Sequence, residues 1–215
     1  WKEQHTVHVV GLGIDAEHPL IVAGLQRIRK HRLQRAHEMA QALAREGMDG
    51  VFDGALALCS NKEMIGRMHF ARYLVKSGYV KDIRSVFRRF LTPGKPGFVA
   101  QHWASLSEAI EWIRSAGGTA VLAHPARYVL NPNTLDSLLS EFKVLGGEAL
   151  EVVSGTPSLD EIYKYALLAQ RYGLWSSVGS DFHGPCEGKS EIGQTKELPP
   201  ICRPVWIKLA DRVHL

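Results

Sequence analysis

The sequence predicts an α/β fold built around a parallel sheet. Residues 119–123 form a short apolar segment typical of a buried strand, and residues 149–153 and 175–178 are also predicted to be strands. The segments between them have helical periodicity and carry capping residues. Strands that alternate with helices of about 10–15 residues are typical of βα units, in which neighbouring strands run parallel.

The other elements follow from apolar periodicity and from glycine and proline positions. Residues 5–12 form an apolar segment that predicts a first strand, and Gly11 and Gly13 mark its end. Pro19 suits a helix start and Gly47 a helix stop, so a long helix is expected at 19–45. Further helices are predicted at 64–76, 82–90, 107–116 with Ser107 as N-cap, 132–145 with Asn131 as N-cap, and 159–172.

Composition is that of an ordinary globular domain, with 45% hydrophobic and 22% charged residues in 215. No apolar stretch reaches the roughly 20 residues that span a bilayer, and the start has no secretory signal pattern. Cys59, Cys186 and Cys202 are few and widely spaced, which argues against disulfides or a cysteine zinc site. These features predict a cytoplasmic protein with no membrane partner.

Positive charge is concentrated in one segment. Residues 24–95 contain 15 Lys and Arg against 6 Asp and Glu, whereas the whole chain has 26 against 22. Such a local surplus suits a polyanionic substrate, although a solvated helix surface would also explain it.

Potential metal ligands follow two of the predicted strands. His124 comes directly after residues 119–123, and Asp181 and His183 come shortly after 175–178. Side chains at the carboxyl ends of parallel strands meet at one edge of a sheet, and imidazole with carboxylate suits Zn²⁺, Mn²⁺ or Fe²⁺. Each residue alone would be an ordinary loop residue, but together they predict a metal site.

Four motifs in this order resemble the later motifs of the PHP (polymerase and histidinol phosphatase) family of phosphoesterases. They are HVVGLGID at 8–15, GRMHFAR at 66–72, AHP at 123–125 and GSDFH at 179–183. The subgroup they resemble contains nucleoside-3′,5′-bisphosphate phosphatases and RNase AM. The resemblance implies a partial distorted (β/α)7 barrel, formed by residues 1–23 and 104–215, with an inserted basic helical subdomain at about 24–103.

The resemblance also implies roles for individual residues. His8 would be a metal ligand, although its position in an apolar strand otherwise suggests a core histidine. His124, Asp181 and His183 would complete the ligands present here, for a cluster of two or three divalent ions, with Mn²⁺ favoured and Zn²⁺, Fe²⁺ or Mg²⁺ possible. Glu151 is interpreted as structural. The substrate-binding residues implied are Arg32, Arg35 and Arg67, with His69 and Arg127 beside them.

The activity implied is hydrolysis of 3′,5′-bisphosphonucleotides, or removal of nucleotides from the 5′ ends of short RNA, by metal-activated water. A PHP phosphatase acting on another small phosphate ester and a non-catalytic basic RNA-binding module are the alternatives. The family's first metal motifs, which include an HxH, are absent. We therefore expect the N-terminal part of the same protein to be missing, and the 215 residues alone to be inactive or nearly so.

Overall fold

The computed structural model describes Trp1, residues 5–182 and residues 191–210. The chain divides into two compact units. The first unit contains Trp1–Ile21 and Ser105–Leu215, and the second contains Val22–Ala104. None of the helices in the described ranges is both long and apolar enough to cross a membrane.

Strands and helices alternate through much of the chain, which confirms the predicted α/β class. In chain order, the described elements are β1 (Val9–Leu12), α1 (Pro19–Arg45), α2 (Val51–Ala57), α3 (Arg67–Lys76), α4 (Ile83–Val86), α5 (Leu106–Ser115), β2 (Thr119–Leu122), α6 (Pro132–Val144), β3 (Ala149–Ser154), α7 (Leu159–Arg171), β4 (Trp175–Gly179) and α8 (Val205–Leu209). Short 3₁₀ turns lie at Lys62–Met64 and Pro125–Arg127, and a π-helical turn at Phe87–Leu91 follows α4.

The sheet of the first unit has the strand order β1-β2-β3-β4. As predicted, β2, β3 and β4 are parallel. The first strand, for which no direction was predicted, pairs antiparallel with β2 and opposes Val9 to Leu122. Pairing direction depends on the path of the chain between two strands, and no local sequence pattern encodes it.

Each unit has its own hydrophobic core. In the first unit, one sheet face packs against α5, α6 and α7, and Ile110, Leu138 and Phe142 are completely buried there. On the other face, Val121 and Ala149 pack with Val205 of α8. The core of the second unit is formed by apolar side chains of α1 to α4, among them Met39, Leu43, Phe70 and Leu74, together with the π-helical turn.

Helices α5 and α2 differ from what the sequence predicted. Helix α5 is capped by Ser105 instead of Ser107, because Ser105 Oγ accepts from the Glu108 N–H at 3.2 Å while the Glu108 carboxylate accepts from the Ser105 N–H at 2.8 Å. Helix α2 was not predicted, since Gly50 and Gly54 weaken its helical pattern. Gly54 is required there because a Cβ atom on it would lie 1.9 Å from the Tyr73 ring of α3.

Candidate metal centre and arginine cluster

The antiparallel pairing of β1 brings two candidate ligands together. His8 directly precedes β1 and His124 lies two residues after β2, so both stand at the same edge of the sheet. The pairing extends past the strand ends, because the Ala123 N–H donates to the His8 carbonyl at 3.0 Å. The two imidazoles meet at this edge, with His8 Nδ1 2.9 Å from His124 Nε2.

The backbone at this edge is conformationally unusual. His124 has φ 32° and Asp181 has φ 52°, and in the described ranges they are the two residues other than glycine with positive φ. Side chains disfavour this left-handed region, and such strain tends to occur at functional sites because the surrounding structure must enforce it. Both strained positions coincide with ligands that the sequence predicted.

Glu151 lies in the centre of β3 and is 8% exposed. Its carboxylate accepts a hydrogen bond from the His124 N–H at 2.6 Å, so it fixes the strained backbone at His124. Burial raises the pKa of Glu151, the His124 N–H lowers it, and the nearby Asp181 charge raises it further. This bond agrees with the structural role that the sequence suggested for Glu151, and the presence of a charged residue within Ala149–Ser154 was the signal that could have linked it to the site.

The other predicted site residues of the first unit are Arg127, Asp181 and His183. Arg127 forms an ion pair with Asp181 Oδ2, so its guanidinium contacts a predicted metal ligand. His183 lies outside the described residues. Within the described ranges, no group of three or more His, Cys, Asp or Glu side chains is arranged to hold a metal ion. The structure therefore brings His8 and His124 together, and places Asp181 beside Glu151 and Arg127.

The chemistry of this edge fits a divalent cation. His8 Nδ1 and His124 Nε2 lie at hydrogen-bond distance from each other, and neutral imidazole nitrogens are common ligands of divalent cations. The Nδ1 atom of His124 is buried and has no hydrogen-bond partner among the described residues. Glu151 and Asp181 also place two carboxyl groups nearby, of which Asp181 is paired with Arg127.

Tyr128 ties the two histidine-bearing segments together. Its hydroxyl donates to the Ala123 carbonyl at 2.7 Å and accepts from the His8 N–H at 2.9 Å. Burial raises the pKa of Tyr128 to about 12, so the phenol remains a neutral donor at physiological pH. Tyr128 therefore helps to position the His8 and His124 imidazoles by holding the backbone next to each of them.

We expect Tyr128→Phe to lower the free energy of unfolding by about 1–2 kcal/mol, because it removes both hydrogen bonds. The native phenol has the higher pKa, so its contribution is intact below pH 10 and is lost as pH rises towards 12. Urea unfolding at pH 7 and at pH 10–12 measures both effects. Tyr163→Phe, at a tyrosine on α7 that is 52% exposed, is the matched control. Equal stability of the two variants would contradict this role.

Gly179 leaves the space that the Glu151 carboxylate fills. A Cβ atom on Gly179 would lie 2.1 Å from Glu151 Oε1. We expect Gly179→Ala to destabilise the fold by about 1–3 kcal/mol through overpacking. In a double-mutant cycle measured by urea unfolding, Glu151→Ala should remove most of that penalty. Additive effects of the two substitutions would show that the carboxylate does not occupy this space.

The second unit contains a cluster of three arginines. Arg32 and Arg35 lie three residues apart on α1, and Arg67 is the first residue of α3. Burial lowers the pKa of Arg35, and the charges of Arg67 and then Arg32 lower it further. Burial also lowers the pKa of Arg32.

Backbone carbonyls and aromatic rings hold these guanidiniums in place. Arg35 donates to the Val99 carbonyl at 2.7 Å, and Arg32 donates to the Met64 carbonyl at 3.3 Å. Arg67 donates to the Leu91 carbonyl at 3.4 Å. The Arg32 guanidinium also lies 5.5 Å from the ring centre of Trp103, an exposed side chain that sequence reasoning did not single out.

In the described part of the chain, none of these three arginines forms a salt bridge with a carboxylate. By contrast, Arg29 on the same helix is paired with Glu63 at 3.4 Å. Three close positive charges without a counter-ion repel one another, and a multiply charged anion would relieve that repulsion.

His69 adjoins the arginine cluster. Its Nδ1 accepts from the Gly66 N–H at 3.2 Å at the start of α3. Burial lowers the pKa of His69, and the charges of Arg72 and Arg32 lower it further. The His69 imidazole is therefore held at the start of α3, where the charge of Arg32 acts on it.

Comparison with known proteins identifies relatives over almost the whole chain. A 3′,5′-nucleoside bisphosphate phosphatase of Chromobacterium violaceum is 54% identical over 210 residues, which cover 98% of this chain and 74% of that protein. The 5′-3′ exoribonuclease Rnm of Escherichia coli is 39% identical over 204 residues, covering 95% and 69%. No family model matches the sequence.

A solved structure is similar in fold as well as in sequence. It is an amidohydrolase from Chromobacterium violaceum with bound sulfate and no metal, with a TM-score of 0.85 and 53% identity. The similarity covers 100% of this chain and 74% of that one. The motifs, the fold and these relatives together show that the chain belongs to the PHP family of phosphoesterases, in the group of the 3′,5′-nucleoside bisphosphate phosphatases and Rnm exoribonucleases.

Proposed function

We propose that this protein is a metal-dependent phosphoesterase that hydrolyses 3′,5′-bisphosphonucleotides and removes nucleotides from the 5′ ends of short RNA. The observation that carries the proposal is the pairing of His8 and His124 at the carboxyl end of β2, beside two acidic side chains. The relatives named as a bisphosphate phosphatase and as 5′-3′ exoribonucleases support the substrate class.

We further propose that the first unit is part of a distorted (β/α)7 barrel, with residues 24–103 as its inserted subdomain. The parallel order of β2, β3 and β4, each followed by a helix or loop at the same edge, supports this architecture. Barrels of this kind place catalytic groups at the carboxyl ends of several strands, where His124 and Asp181 lie.

In this proposal His8, His124, Asp181 and His183 hold a cluster of two or three divalent ions, with Mn²⁺ favoured. Such ions lower the pKa of a coordinated water and neutralise charge on phosphoryl oxygens. Glu151 and Tyr128 keep the two imidazoles in position through the backbone bonds described above. Arg127 orients the Asp181 carboxylate through its ion pair.

The arginine cluster gives the proposed enzyme its preference for substrates with more than one phosphate. Arg32, Arg35 and Arg67 are held by backbone carbonyls and have further N–H groups with which to bind phosphate oxygens. His69 adds a neutral hydrogen-bonding group beside them. A single phosphate carries too little charge to neutralise three guanidiniums, whereas a bisphosphate matches them.

Hydrolysis of adenosine 3′,5′-bisphosphate by the full-length protein with Mn²⁺ tests the proposal. We expect phosphate release that stops on chelation with EDTA and returns when Mn²⁺ is restored. Histidinol phosphate, the substrate of the competing phosphatase hypothesis, should be hydrolysed far more slowly. Turnover that is unaffected by chelation, or a preference for histidinol phosphate, would contradict the proposal.

A further inference from the structure

A second basic site lies in the second unit, at the opposite end of α3 from Arg67. It is a cavity of about 480 Å³ that opens where the end of α3 meets α4 and the π-helical turn. Its lining includes Tyr79, Lys81, Ser85, Arg88 and Arg89. A cavity of this volume is within the range that holds nucleotide-sized ligands.

The charges of this cavity are not neutralised by ion pairs. None of the three lining cations, Lys81, Arg88 and Arg89, forms a salt bridge with a carboxylate of the described residues. The nearest acid in sequence is Asp82, which does not line the cavity, although its pKa is lowered by its bonds to Ser85 and also by the charges of Lys81 and Arg88. Its carboxylate is engaged by Ser85, accepting from the backbone N–H at 2.7 Å and from the hydroxyl at 2.9 Å.

Aromatic surface accompanies the positive charge. Tyr79 is 41% exposed and borders the cavity, and its hydroxyl accepts from the Asp49 N–H at 3.3 Å. The Arg89 guanidinium lies 4.9 Å from the ring centre of Phe90, a buried core side chain that does not line the cavity. Cations that follow a phosphate backbone, combined with an exposed ring on which a base can stack, are the usual means of binding single-stranded nucleic acid without sequence preference.

The position of the cavity fits a substrate longer than one nucleotide. Arg67 begins α3, and the cavity is reached at Val75 in the last turn of the same helix. Eight residues of α-helix place these two points about 12 Å apart along the axis. A short RNA with its terminal phosphate at the arginine cluster can therefore extend along α3 to the cavity, which a mononucleotide is too short to do.

We propose that this cavity is an RNA-binding exosite, which holds the backbone of the nucleotides that follow the one being removed. The inference rests on the proposed function, because it takes RNA to be a substrate of the enzyme. It predicts that the exosite contributes to turnover of oligoribonucleotides and not to turnover of 3′,5′-bisphosphonucleotides.

The test compares two substrates on one variant of the full-length protein. In Arg88→Glu/Arg89→Glu, we expect kcat/KM for a 5′-phosphorylated ten-nucleotide RNA to fall at least about tenfold, while kcat/KM for adenosine 3′,5′-bisphosphate changes less than about twofold. Arg84→Glu is the matched control, because Arg84 is an exposed arginine of α4 that does not line the cavity. The control should leave the turnover of both substrates unchanged.

Salt dependence gives a second readout that does not require catalysis. Fluorescence anisotropy with the same RNA, carrying a fluorescent label, measures the association constant at several salt concentrations. For the variant, the plot of log association constant against log salt concentration should be less steep by about 0.7 for each phosphate that is no longer neutralised. An equal loss on both substrates, or unchanged RNA turnover with an unchanged slope, would overturn the exosite. If neither substrate is hydrolysed by the unaltered protein, the proposed function fails, and the anisotropy measurement still decides whether the cavity binds RNA.

Discussion

Replacing His8 with alanine is expected to reduce turnover of adenosine 3′,5′-bisphosphate by at least about 100-fold. Loss of a residue that supports a metal ligand already costs about 10–100-fold, and His8 is proposed to be a ligand itself. His8 is exposed, so its removal should leave the core of the first unit intact. The stoichiometry of bound Mn²⁺, measured by mass spectrometry of the purified protein, should fall in parallel.

The matched control is His37→Ala. His37 is an exposed histidine of α1 that stacks on Phe52 with ring centres 3.9 Å apart, and it has no role in the proposed site. Its substitution should preserve both turnover and metal content. If His8→Ala retained the activity and metal content of the control, His8 would not be a ligand. His124→Ala should reproduce the loss, with added destabilisation because His124 is buried.

Replacing Arg32 with alanine is expected to lower kcat/KM for adenosine 3′,5′-bisphosphate by about 10- to 100-fold. A hydrogen bond to a charged group contributes about 1.5–3 kcal/mol, and Arg32 also adds to the positive potential felt by Arg35. The effect on a substrate with one phosphate should be smaller, because fewer negative charges depend on the cluster. Steady-state kinetics on the bisphosphate and on adenosine 5′-monophosphate measure this difference.

Arg29→Ala provides the control for this experiment. Arg29 lies on the same helix, three residues before Arg32, and its charge is already paired with Glu63. We expect its substitution to change kcat/KM less than about twofold, since exposed salt bridges contribute little. If Arg29→Ala and Arg32→Ala lowered kcat/KM equally, the net charge of the helix alone would explain the effect. The arginine cluster would then have no specific role in binding the bisphosphate.

Local sequence patterns were enough to predict much of the fold. The strands after α5, α6 and α7 are short apolar segments between capped helices, and the helix bounded by Pro19 and Gly47 was predicted with its observed limits. Buried parallel strands differ strongly from amphipathic helices in composition, so these elements are recognisable from residues alone. Helix α2 was missed because packing of Gly54 against Tyr73, which no local pattern contains, outweighs its weak propensity.

The residues of the candidate site were harder to predict from local sequence patterns. His124 and Asp181 were predicted because they follow strands, but His8 was assigned through family resemblance alone. Its proximity to His124 depends on the antiparallel pairing of β1, which is a long-range property of the chain. The bond between Glu151 and His124 was not predicted for a related reason, since the two residues come from neighbouring strands and the burial of Glu151 is set by the sheet as a whole.

A crystal structure of the full-length protein soaked with Mn²⁺, with anomalous scattering recorded, tests the central claim most directly. The account predicts an anomalous peak within about 2.1–2.3 Å of a His8 and a His124 nitrogen, with a carboxylate oxygen of Asp181 in the same cluster. A well-occupied peak that neither histidine contacts, or saturating Mn²⁺ without any peak at this edge of the sheet, would contradict it.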